Sequence, residues 1–341
     1  MSRPDSENRG SSEPLRVGVI GTGRIASDYL GILPELASVE LVAVCDIDET
    51  ARNQAARQTG VAAFGSVEEM LAEMQLDAAL VLTPPVSHEN VTLDLLARGL
   101  HVLCEKPLAV TASAAARMQQ TASRHDAVLM MASKFRYVPD LIEAQKLIAD
   151  GAIGTPILID NGFCSIVDMS DRWNSDPAIS GGGVLIDNGC HSVDIVRMLI
   201  GPLVRVLAHF GRRVQPVKVE DSVRMFFETA SACVGLIDIS WSVEKAAEHY
   251  VSVQATEGTM QIGWQGSRYR RSGEDEWHTF GTGYQKRAAL RAQVENFVGV
   301  VRGTDKPRVT PTDALASVRA IEAAYRSARV GRWVPIQGFK A

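Results

Sequence analysis

The sequence predicts an α/β protein with an N-terminal Rossmann domain and a C-terminal α+β domain that contains an open, mainly antiparallel sheet. Three observations support this fold class. Strands and helices alternate over residues 15–132, a Gly-x-Gly-x-x-Ala segment follows the first strand, and segments of residues 133–341 alternate apolar with polar side chains. A chain of 341 residues is also long enough for two cores.

The composition is that of a soluble globular protein, with 46% hydrophobic and 22% charged residues and a formal net charge of −5. No run of Lys or Arg marks a nucleic-acid surface, and no apolar run is long enough to cross a membrane. Residues 1–14 are polar, so they are predicted to form a disordered tail that lacks the apolar segment of a signal peptide. We therefore expect a cytoplasmic protein with neither a nucleic-acid nor a membrane partner.

The five cysteines are widely spaced and form no Cys-x-x-Cys pair. They lie within apolar segments, where a free cysteine packs as a small hydrophobic residue. Cys190 precedes His191, but neighbouring residues of a helix point in different directions and cannot pair. The sequence therefore predicts neither a disulfide framework nor a metal site.

The first predicted strand ends in a glycine-rich turn. Residues 15–20 are β-branched and apolar, and a helix is predicted at 27–33. Between them, Gly21 permits a tight turn, Gly23 lets the backbone approach a pyrophosphate, and Ala26 lets helix and strand pack closely. The predicted cofactor-binding residues of this turn are Gly21, Thr22, Gly23, Arg24 and Ile25.

The second strand, residues 39–46, ends in the acid Asp46. A carboxylate there can accept hydrogen bonds from the adenosine ribose of NAD and would repel the 2′-phosphate of NADP. Arg52 is within reach of that phosphate, so the sequence favours NAD over NADP without settling the choice. A helix N-cap is the alternative role for Asp46.

The alternation continues to residue 131. Predicted helices cover 49–59, 67–74, 89–98 and 113–124, and predicted strands cover 61–64, 78–82, 101–104 and 127–131. Apolar strands without charges on either face indicate a parallel sheet that helices cover on both sides.

The segments after two of these strands carry polar groups, and ligands of open α/β sheets bind past the strands' carboxyl ends. Thr83, Pro84 and His88 follow one strand, while Glu105 and Lys106 follow the next. We predict that these five residues contact the cofactor. For His88 the expected role is at the start of a helix or in a ribose contact, rather than in catalysis. Lys106 precedes a proline and can stabilise negative charge on a substrate oxygen. The alternative for Lys106 is a solvated surface position.

A triple glycine at 181–183 opens onto an apolar segment with Asp187 and His191 four residues apart. If this segment is helical, the carboxylate and the imidazole share one face. Such a pair suits a positioned acid/base, because histidine titrates near neutral pH. An ordinary intrahelical pair after a tight loop is the alternative.

Together these motifs resemble the Gfo/Idh/MocA oxidoreductase family over residues 15 to about 336. The resemblance rests on the following segments: residues 21–26, 83–88, 105–107, 135–139, 151–154 and 181–194. It implies a C-terminal domain whose open sheet flanks the substrate cleft and mediates a homodimer or homotetramer. It also implies that Lys106, Asp187 and His191 are the catalytic residues.

The second domain can be followed along the chain. A helix is predicted at 134–150, and a hairpin turn at Glu257–Gly258 joins the last two strands. Predicted strands cover 157–163, 204–210, 222–227, 233–241, 250–255 and 259–264. Two closing helices are predicted at 285–302 and 312–329, and residues 333–336 are expected to return to the first domain.

The resulting hypothesis is an NAD-dependent dehydrogenase that oxidises a secondary hydroxyl of a sugar, an aminosugar glycoside or a cyclitol. His191 would take the hydroxyl proton, Asp187 would orient it or bind substrate, and Lys106 would stabilise the oxygen. The predicted substrate contacts are Lys134, Arg136, Arg172, Trp173, Asn188 and Tyr284. The family often has Arg where this chain has Asn174, which argues against an anionic substrate group there.

Three alternatives remain open from the sequence. The first is an NADPH-dependent ketoreductase of a nucleotide sugar, which Asp46 opposes. The second is a non-catalytic sensor of sugars or nucleotides, which the intact Lys106, Asp187 and His191 oppose. The third is a glycoside-cleaving enzyme that keeps NAD bound and oxidises its substrate transiently.

Overall fold

The computed structural model of the chain describes residues 13–338. Most of the tail predicted over residues 1–14 therefore lies outside the described residues. Where the description begins, the Arg302 side chain donates a hydrogen bond of 2.6 Å to the carbonyl oxygen of Glu13.

A six-stranded parallel sheet forms the first half of the molecule, in the order β3-β2-β1-β4-β5-β6. Its strands are β1 Leu15–Ile20, β2 Val39–Cys45, β3 Ala62–Phe64, β4 Ala78–Val81, β5 His101–Glu105 and β6 Leu129–Ala132. The chain order reverses between β1 and β4, where the strand ends open a crevice for ligands. The prediction of a parallel Rossmann sheet is confirmed.

Five helices cover this sheet: α1 Arg24–Leu30, α2 Glu49–Thr59, α3 Val67–Glu73, α4 Pro85–Ala97 and α5 Ala112–Arg124. The predicted starts of α1 and α4 are wrong by three and four residues. Both helices begin at the turn after their strand, and α4 has Pro85 in its first turn, where a missing N–H is tolerated. The Asp48 side chain caps α2 by accepting from the backbone N–H groups of Thr50 and Ala51.

A nine-stranded sheet forms the second half, in the order β14-β13-β12-β11-β7-β10-β9-β8-β15. Its longer strands are β7 Pro156–Cys164, β8 Leu203–Phe210, β9 Ser222–Thr229, β10 Val234–Ser240, β11 His249–Ala255 and β12 Gly258–Gly263. All neighbours pair antiparallel except β7 and β10, which run parallel. The prediction of a mainly antiparallel sheet is confirmed.

The sheet also contains three short strands that sequence patterning missed: β13 Ser267–Arg271, β14 His278–Phe280 and β15 Val334–Pro335. Polar residues fill most of β13 and β14, so neither alternates clearly. The prediction that residues 333–336 return to the first domain is wrong. Here Val334 pairs with Val206 of β8, and the N–H of Ile336 donates to the carbonyl oxygen of Val204.

The helices of the second half are α6 Pro139–Ala149, α7 Pro177–Ser180, α8 Val184–Ile200, α9 Lys286–Val301 and α10 Pro311–Val330. The single helix predicted at 134–150 is instead a 3₁₀ turn, Lys134–Tyr137, followed by α6. Val138 separates them in extended conformation, because a residue before proline avoids the helical region.

The last two helices pack against the first sheet's helices as well as their own domain. The Glu322 side chain of α10 accepts a hydrogen bond of 2.9 Å from the N–H of Ala112 at the start of α5. The Gln293 side chain of α9 donates one of 2.6 Å to the hydroxyl of Tyr29 in α1. Within residues 13–338, no helix has both the length and the apolar character needed to cross a bilayer.

Candidate active site

A cavity of about 450 Å³ lies between the strand ends of the parallel sheet and the N-terminal end of α8. The first sheet contributes the glycine-rich turn and the segments after β4 and β5. The residues that line the cavity include Gly23, Arg24, Ile25, Thr83, Glu105, Lys106, Lys134, Arg172, Trp173, Gly182, Asp187 and Lys286. Most of the residues predicted to contact cofactor or substrate therefore meet in one place.

The glycine-rich turn needs glycine at its first position. Gly21 has φ +90°, and a Cβ there would lie 2.7 Å from the backbone of Leu82 and Thr83. At Gly23, by contrast, no atom lies within 4 Å of a Cβ position, so the backbone is open on that side. An open backbone leading into a helix N-terminus suits the approach of a pyrophosphate.

Asp46 is tied to the same turn. Its Oδ2 accepts hydrogen bonds from the N–H of Thr22 at 2.6 Å and from the Thr22 hydroxyl at 3.0 Å, while Oδ1 accepts from the N–H of Asp48 at 2.9 Å. Arg52 places Nη1 3.5 Å from the carbonyl oxygens of Asp46 and Ile47. The carboxylate thus anchors the turn and keeps lone pairs for a further donor.

Lys106 and Asp187 form an ion pair across the cavity. The Lys106 ammonium lies 2.5 Å from Oδ1 of Asp187 and 3.0 Å from the carbonyl oxygen of that residue. Burial alone would lower the pKa of Lys106, but the carboxylates of Asp187 and Glu105 raise it above its ordinary value. Lys106 is therefore a fixed cation at the end of β5.

His191 lies one turn after Asp187 on α8 but forms no hydrogen bond with it. The residue is 8% exposed, and its Nδ1 is buried without a hydrogen-bond partner in the described structure. Burial, and then the charges of Lys106 and Lys134, hold the pKa of His191 well below its ordinary value. The side chain is a neutral imidazole able to accept a proton. It is not among the residues that line the cavity, whereas Asp187 of the same helix is.

Hydrogen bonds to both carboxylate oxygens fix the side chain of Glu105. One carboxylate oxygen accepts a hydrogen bond of 3.0 Å from the hydroxyl of Tyr29, and the other accepts one of 3.0 Å from the N–H of Lys106. Sequence reasoning did not assign Tyr29, which follows the glycine-rich turn on α1.

His88 is placed differently from the predicted ribose contact. Its side chain is fully buried, with Nδ1 2.8 Å from the carbonyl oxygen of Pro107 and Nε2 2.8 Å from that of Thr83. Both ring nitrogens therefore contact backbone carbonyl oxygens. Thr83 itself lines the cavity, whereas Pro84 does not.

The triple glycine lets α8 begin close to Glu220 and Tyr325. A Cβ on Gly182 would lie 2.0 Å from the Tyr325 hydroxyl, and one on Gly183 would lie 2.0 Å from the carbonyl oxygen of Glu220. Oε1 of Glu220 accepts from the N–H groups of Gly183 and Leu185 and from the Tyr325 hydroxyl. Glu220 therefore caps the helix that carries Asp187 and His191.

Arg136 was predicted to contact substrate, and the structure places it in a buried ion-pair cluster instead. Its Nη2 lies 2.7 Å from Asp194 and 3.2 Å from Asp313, and the Ser133 hydroxyl donates to Asp194 at 2.5 Å. With both acids engaged, this guanidinium joins α8 to α10 and is not among the groups that line the cavity.

Asn188 and Tyr284 also serve packing contacts. Oδ1 of Asn188 accepts a hydrogen bond of 3.1 Å from the indole N–H of Trp241. The ring of Tyr284 stacks on Phe135 at 5.0 Å, and Phe135 meets the His191 ring edge-on at the same distance. Neither Asn188 nor Tyr284 lines the cavity.

Lys134, Arg172 and Trp173 do line the cavity. Among the residues that the structure describes, no carboxylate or hydrogen-bond acceptor pairs with the Lys134 ammonium, which lies 5.7 Å from the Phe135 ring centre. Burial, and then Lys106, lower the pKa of Lys134 to about 8. Trp173 is 42% exposed, which leaves its indole free for a ring-shaped ligand.

Sequence reasoning missed several residues at the site. Lys286, the first residue of α9, pairs with Asp28 of α1 at 2.6 Å, and both line the cavity. Glu220 and Tyr325 support α8 from distant parts of the chain. Their sequence surroundings carry no recurrent spacing, so only the tertiary structure reveals these contacts.

Comparison with known proteins agrees with this architecture. The model of an oxidoreductase family with an NAD-binding Rossmann fold matches residues 15–133, and the model of the GFO/IDH/MocA C-terminal domain matches residues 141–261. The rhizopine catabolism protein MocA of Rhizobium meliloti is 29% identical over 91% of this chain and 94% of its own length. The D-apiose dehydrogenase of Paraburkholderia graminis is 27% identical over 95% of this chain and 90% of its own.

Among solved structures, GenD2 from gentamicin A biosynthesis, in complex with NAD, is similar. It is 29% identical, with a TM-score of 0.85 over 99% of this chain and 100% of that one. Both family models, the relatives and the fold agree, and the chain belongs to the GFO/IDH/MocA oxidoreductase family.

Proposed function

We propose that this protein is an NAD-dependent dehydrogenase that oxidises a secondary hydroxyl of a sugar, an aminosugar glycoside or a cyclitol. The observation that carries the proposal is the meeting of Lys106 and Asp187 at 2.5 Å in a cavity that the glycine-rich turn also lines. His191 follows on the same helix. The relatives named as sugar dehydrogenases support this reaction class.

The residues around the turn fit a dinucleotide. Gly23 is open, Arg24 and Glu105 line the cavity, and Asp46 keeps acceptor capacity. When bound, NAD supplies the hydride acceptor. Asp46 supports NAD over NADP, because its carboxylate would repel a ribose phosphate.

The chain's own residues would manage the proton and the oxygen. Lys106 stays charged beside Asp187 and can hold the carbinol oxygen as negative charge grows on it. His191 is neutral and can accept the hydroxyl proton as the carbon is oxidised. Asp187 holds the Lys106 ammonium and can accept a second substrate hydroxyl.

Substrate contacts are best assigned to the polar groups that line the cavity. Lys134 and Arg172 can donate to hydroxyl oxygens, and Trp173 can pack against the ring. Arg136, Asn188 and Tyr284 would act indirectly, by holding the helices and aromatic side chains around the cavity.

The proposal can be tested by following the absorbance of the reduced cofactor with NAD and then NADP. The substrate panel contains inositols, aminocyclitols, free sugars and nucleotide sugars. Lys106→Met and His191→Ala are compared with Lys146→Met and His125→Ala, which change exposed residues of the same types. Turnover with NAD that the first pair abolishes and the second pair retains supports the proposal. Turnover with NADP alone, or none despite tight NAD binding, contradicts it.

A further inference from the structure

His88 stands in the first turn of α4, fully buried between two backbone carbonyl groups. We propose that His88 is a buried imidazolium that acts as a positioning residue, donating from both ring nitrogens to Thr83 and Pro107. These two carbonyls belong to the segments after β4 and β5, which supply Thr83 and Lys106 to the cavity. The charged ring thereby ties the two strand-end segments together.

The argument rests on which atoms can donate. A carbonyl oxygen only accepts hydrogen bonds, and a neutral imidazole has one N–H donor and one acceptor nitrogen. Both ring nitrogens lie 2.8 Å from a carbonyl oxygen. A neutral ring would leave one nitrogen lone pair facing an oxygen lone pair at that distance. Protonation of both nitrogens turns both contacts into hydrogen bonds, and charged donors make the stronger ones.

The surroundings of the His88 ring act on its protonation in opposite directions. Burial is the largest effect on the pKa of His88, and together with the Lys106 ammonium it outweighs the two carbonyl acceptors and the Glu105 carboxylate, so the balance lies below the ordinary value. The charged ring is therefore assigned on the two short contacts to carbonyl oxygens, against the effect of burial. The N-terminal end of α4 also disfavours a cation. Glu105 is the counter-charge, and Tyr29 and the N–H of Lys106 hold its carboxylate in place.

The consequence for the site concerns the position of Lys106. Its neighbour Pro107 is fixed by His88 on one side, and Glu105 is fixed by Tyr29 on the other. Lys106 is thus presented from a backbone that is held at both flanking residues, with its ammonium 2.5 Å from Asp187. A displacement of about 1 Å at a functional side chain can lower the rate by about 100-fold.

Nuclear magnetic resonance tests the protonation state directly. The full chain, labelled with ¹⁵N at histidine and measured at pH 8.5, has seven histidines. We expect one ring with both nitrogens protonated and bearing slowly exchanging hydrogens, and we expect that signal to be absent from His88→Gln. A spectrum in which every ring has one unprotonated nitrogen overturns the proposal. This measurement needs no substrate, so it stands even if the proposed reaction is wrong.

Kinetics tests the positioning role, and this part rests on the proposed dehydrogenase function. We expect His88→Phe to lower kcat by about tenfold or more, with a smaller change in KM for NAD, because the ammonium of Lys106 is displaced. His88→Gln should recover part of the loss, since its amide can still donate. His125→Gln, at an exposed site, is the matched control. Equal kcat in His88→Phe and wild type contradicts the positioning role, and if that variant does not fold, the resonance measurement decides.

Discussion

The ammonium of Lys106 lies 2.5 Å from the carboxylate of Asp187, although 81 residues separate them along the chain. The contact joins the end of β5 in the parallel sheet to the first turn of α8 in the second half. A substrate oxygen bound between them would exchange part of this ion pair for its own contact with Lys106. Asp187 thus positions the Lys106 ammonium and favours its charged form.

Replacing Lys106 by Met should lower kcat/KM for the alcohol by about 10²- to 10³-fold, because the growing negative charge on oxygen loses its cation. The dissociation constant of NAD, measured by fluorescence titration, should change little. Lys146→Met is the control at an exposed site. A variant with near-normal turnover would exclude Lys106 from the chemistry.

His191→Ala should lower kcat by about 10²- to 10⁴-fold, as expected when a general base is lost. Asp187→Asn, which keeps the shape but weakens the hold on Lys106, should have a smaller effect. Steady-state kinetics on both variants separates the two roles. If Asp187→Asn is the more damaged, Asp187 is the proton acceptor and the assignment of His191 is wrong.

The pH profile should follow His191 and Lys134. Burial and two cations lower the pKa of His191, so activity in oxidation should persist below pH 6.5 and fall only when the ring becomes protonated. Lys134→Met removes one cation, which raises that pKa and moves the acid limb of kcat/KM to higher pH. Because Lys134→Met also removes a proposed substrate contact, each profile is scaled to its own plateau before the acid limbs are compared. An unmoved acid limb would contradict the coupling.

Asp46→Ser should raise KM for NAD by about 10- to 150-fold, because charge-assisted hydrogen bonds contribute about 1.5–3 kcal/mol. It should also improve the use of NADP, since the repulsion is gone and Arg52 lies 3.5 Å from the Asp46 carbonyl. Asp48→Ser is the control, because Asp48 caps α2 from the same loop. Unchanged KM values for both cofactors would show that Asp46 serves only to anchor Thr22.

Gly182→Ala should destabilise the fold, because its Cβ would lie 2.0 Å from the Tyr325 hydroxyl. Overpacking of this kind typically costs about 1–3 kcal/mol. Thermal unfolding should show a lower Tm, and adding Tyr325→Phe should recover part of it by removing the clashing oxygen. Gly60→Asn, at the left-handed end of α2 with no atom near its Cβ, should change Tm little. Tyr325→Phe also removes the hydrogen bond to Glu220, so it is measured alone as well. If it lowers Tm in Gly182→Ala as much as in the wild type, the clash is not the cause.

The sequence was most informative where function depends on local order. Strand, glycine turn and helix follow each other within residues 15–30, so this strand-turn-helix unit could be predicted from spacing alone. The same holds for Asp187 and His191, which one helix places a turn apart. Their partner Lys106 could be placed at a sheet edge, but its contact with Asp187 spans two halves of the fold.

Long-range contacts account for what could not be predicted. Arg136 and Lys134 are close in the chain, yet Lys134 lines the cavity whereas Arg136 is buried against Asp194. The two side chains point in different directions because they lie in a 3₁₀ turn. The sequence predicted a continuous α-helix there, so this difference was not expected. Likewise, Val334 joins the sheet through two residues of pairing, a signal too short for any periodicity.

Helix α10 gives the two halves a shared support. Its Glu322 holds the start of α5 in the nucleotide-binding half, and three residues later Tyr325 holds the carboxylate that caps α8, the helix of Asp187 and His191. The halves are therefore not interchangeable modules. An engineered exchange of the nucleotide-binding half would have to carry a compatible face of α10 with it, or the new enzyme would bind its cofactor beside a misaligned α8.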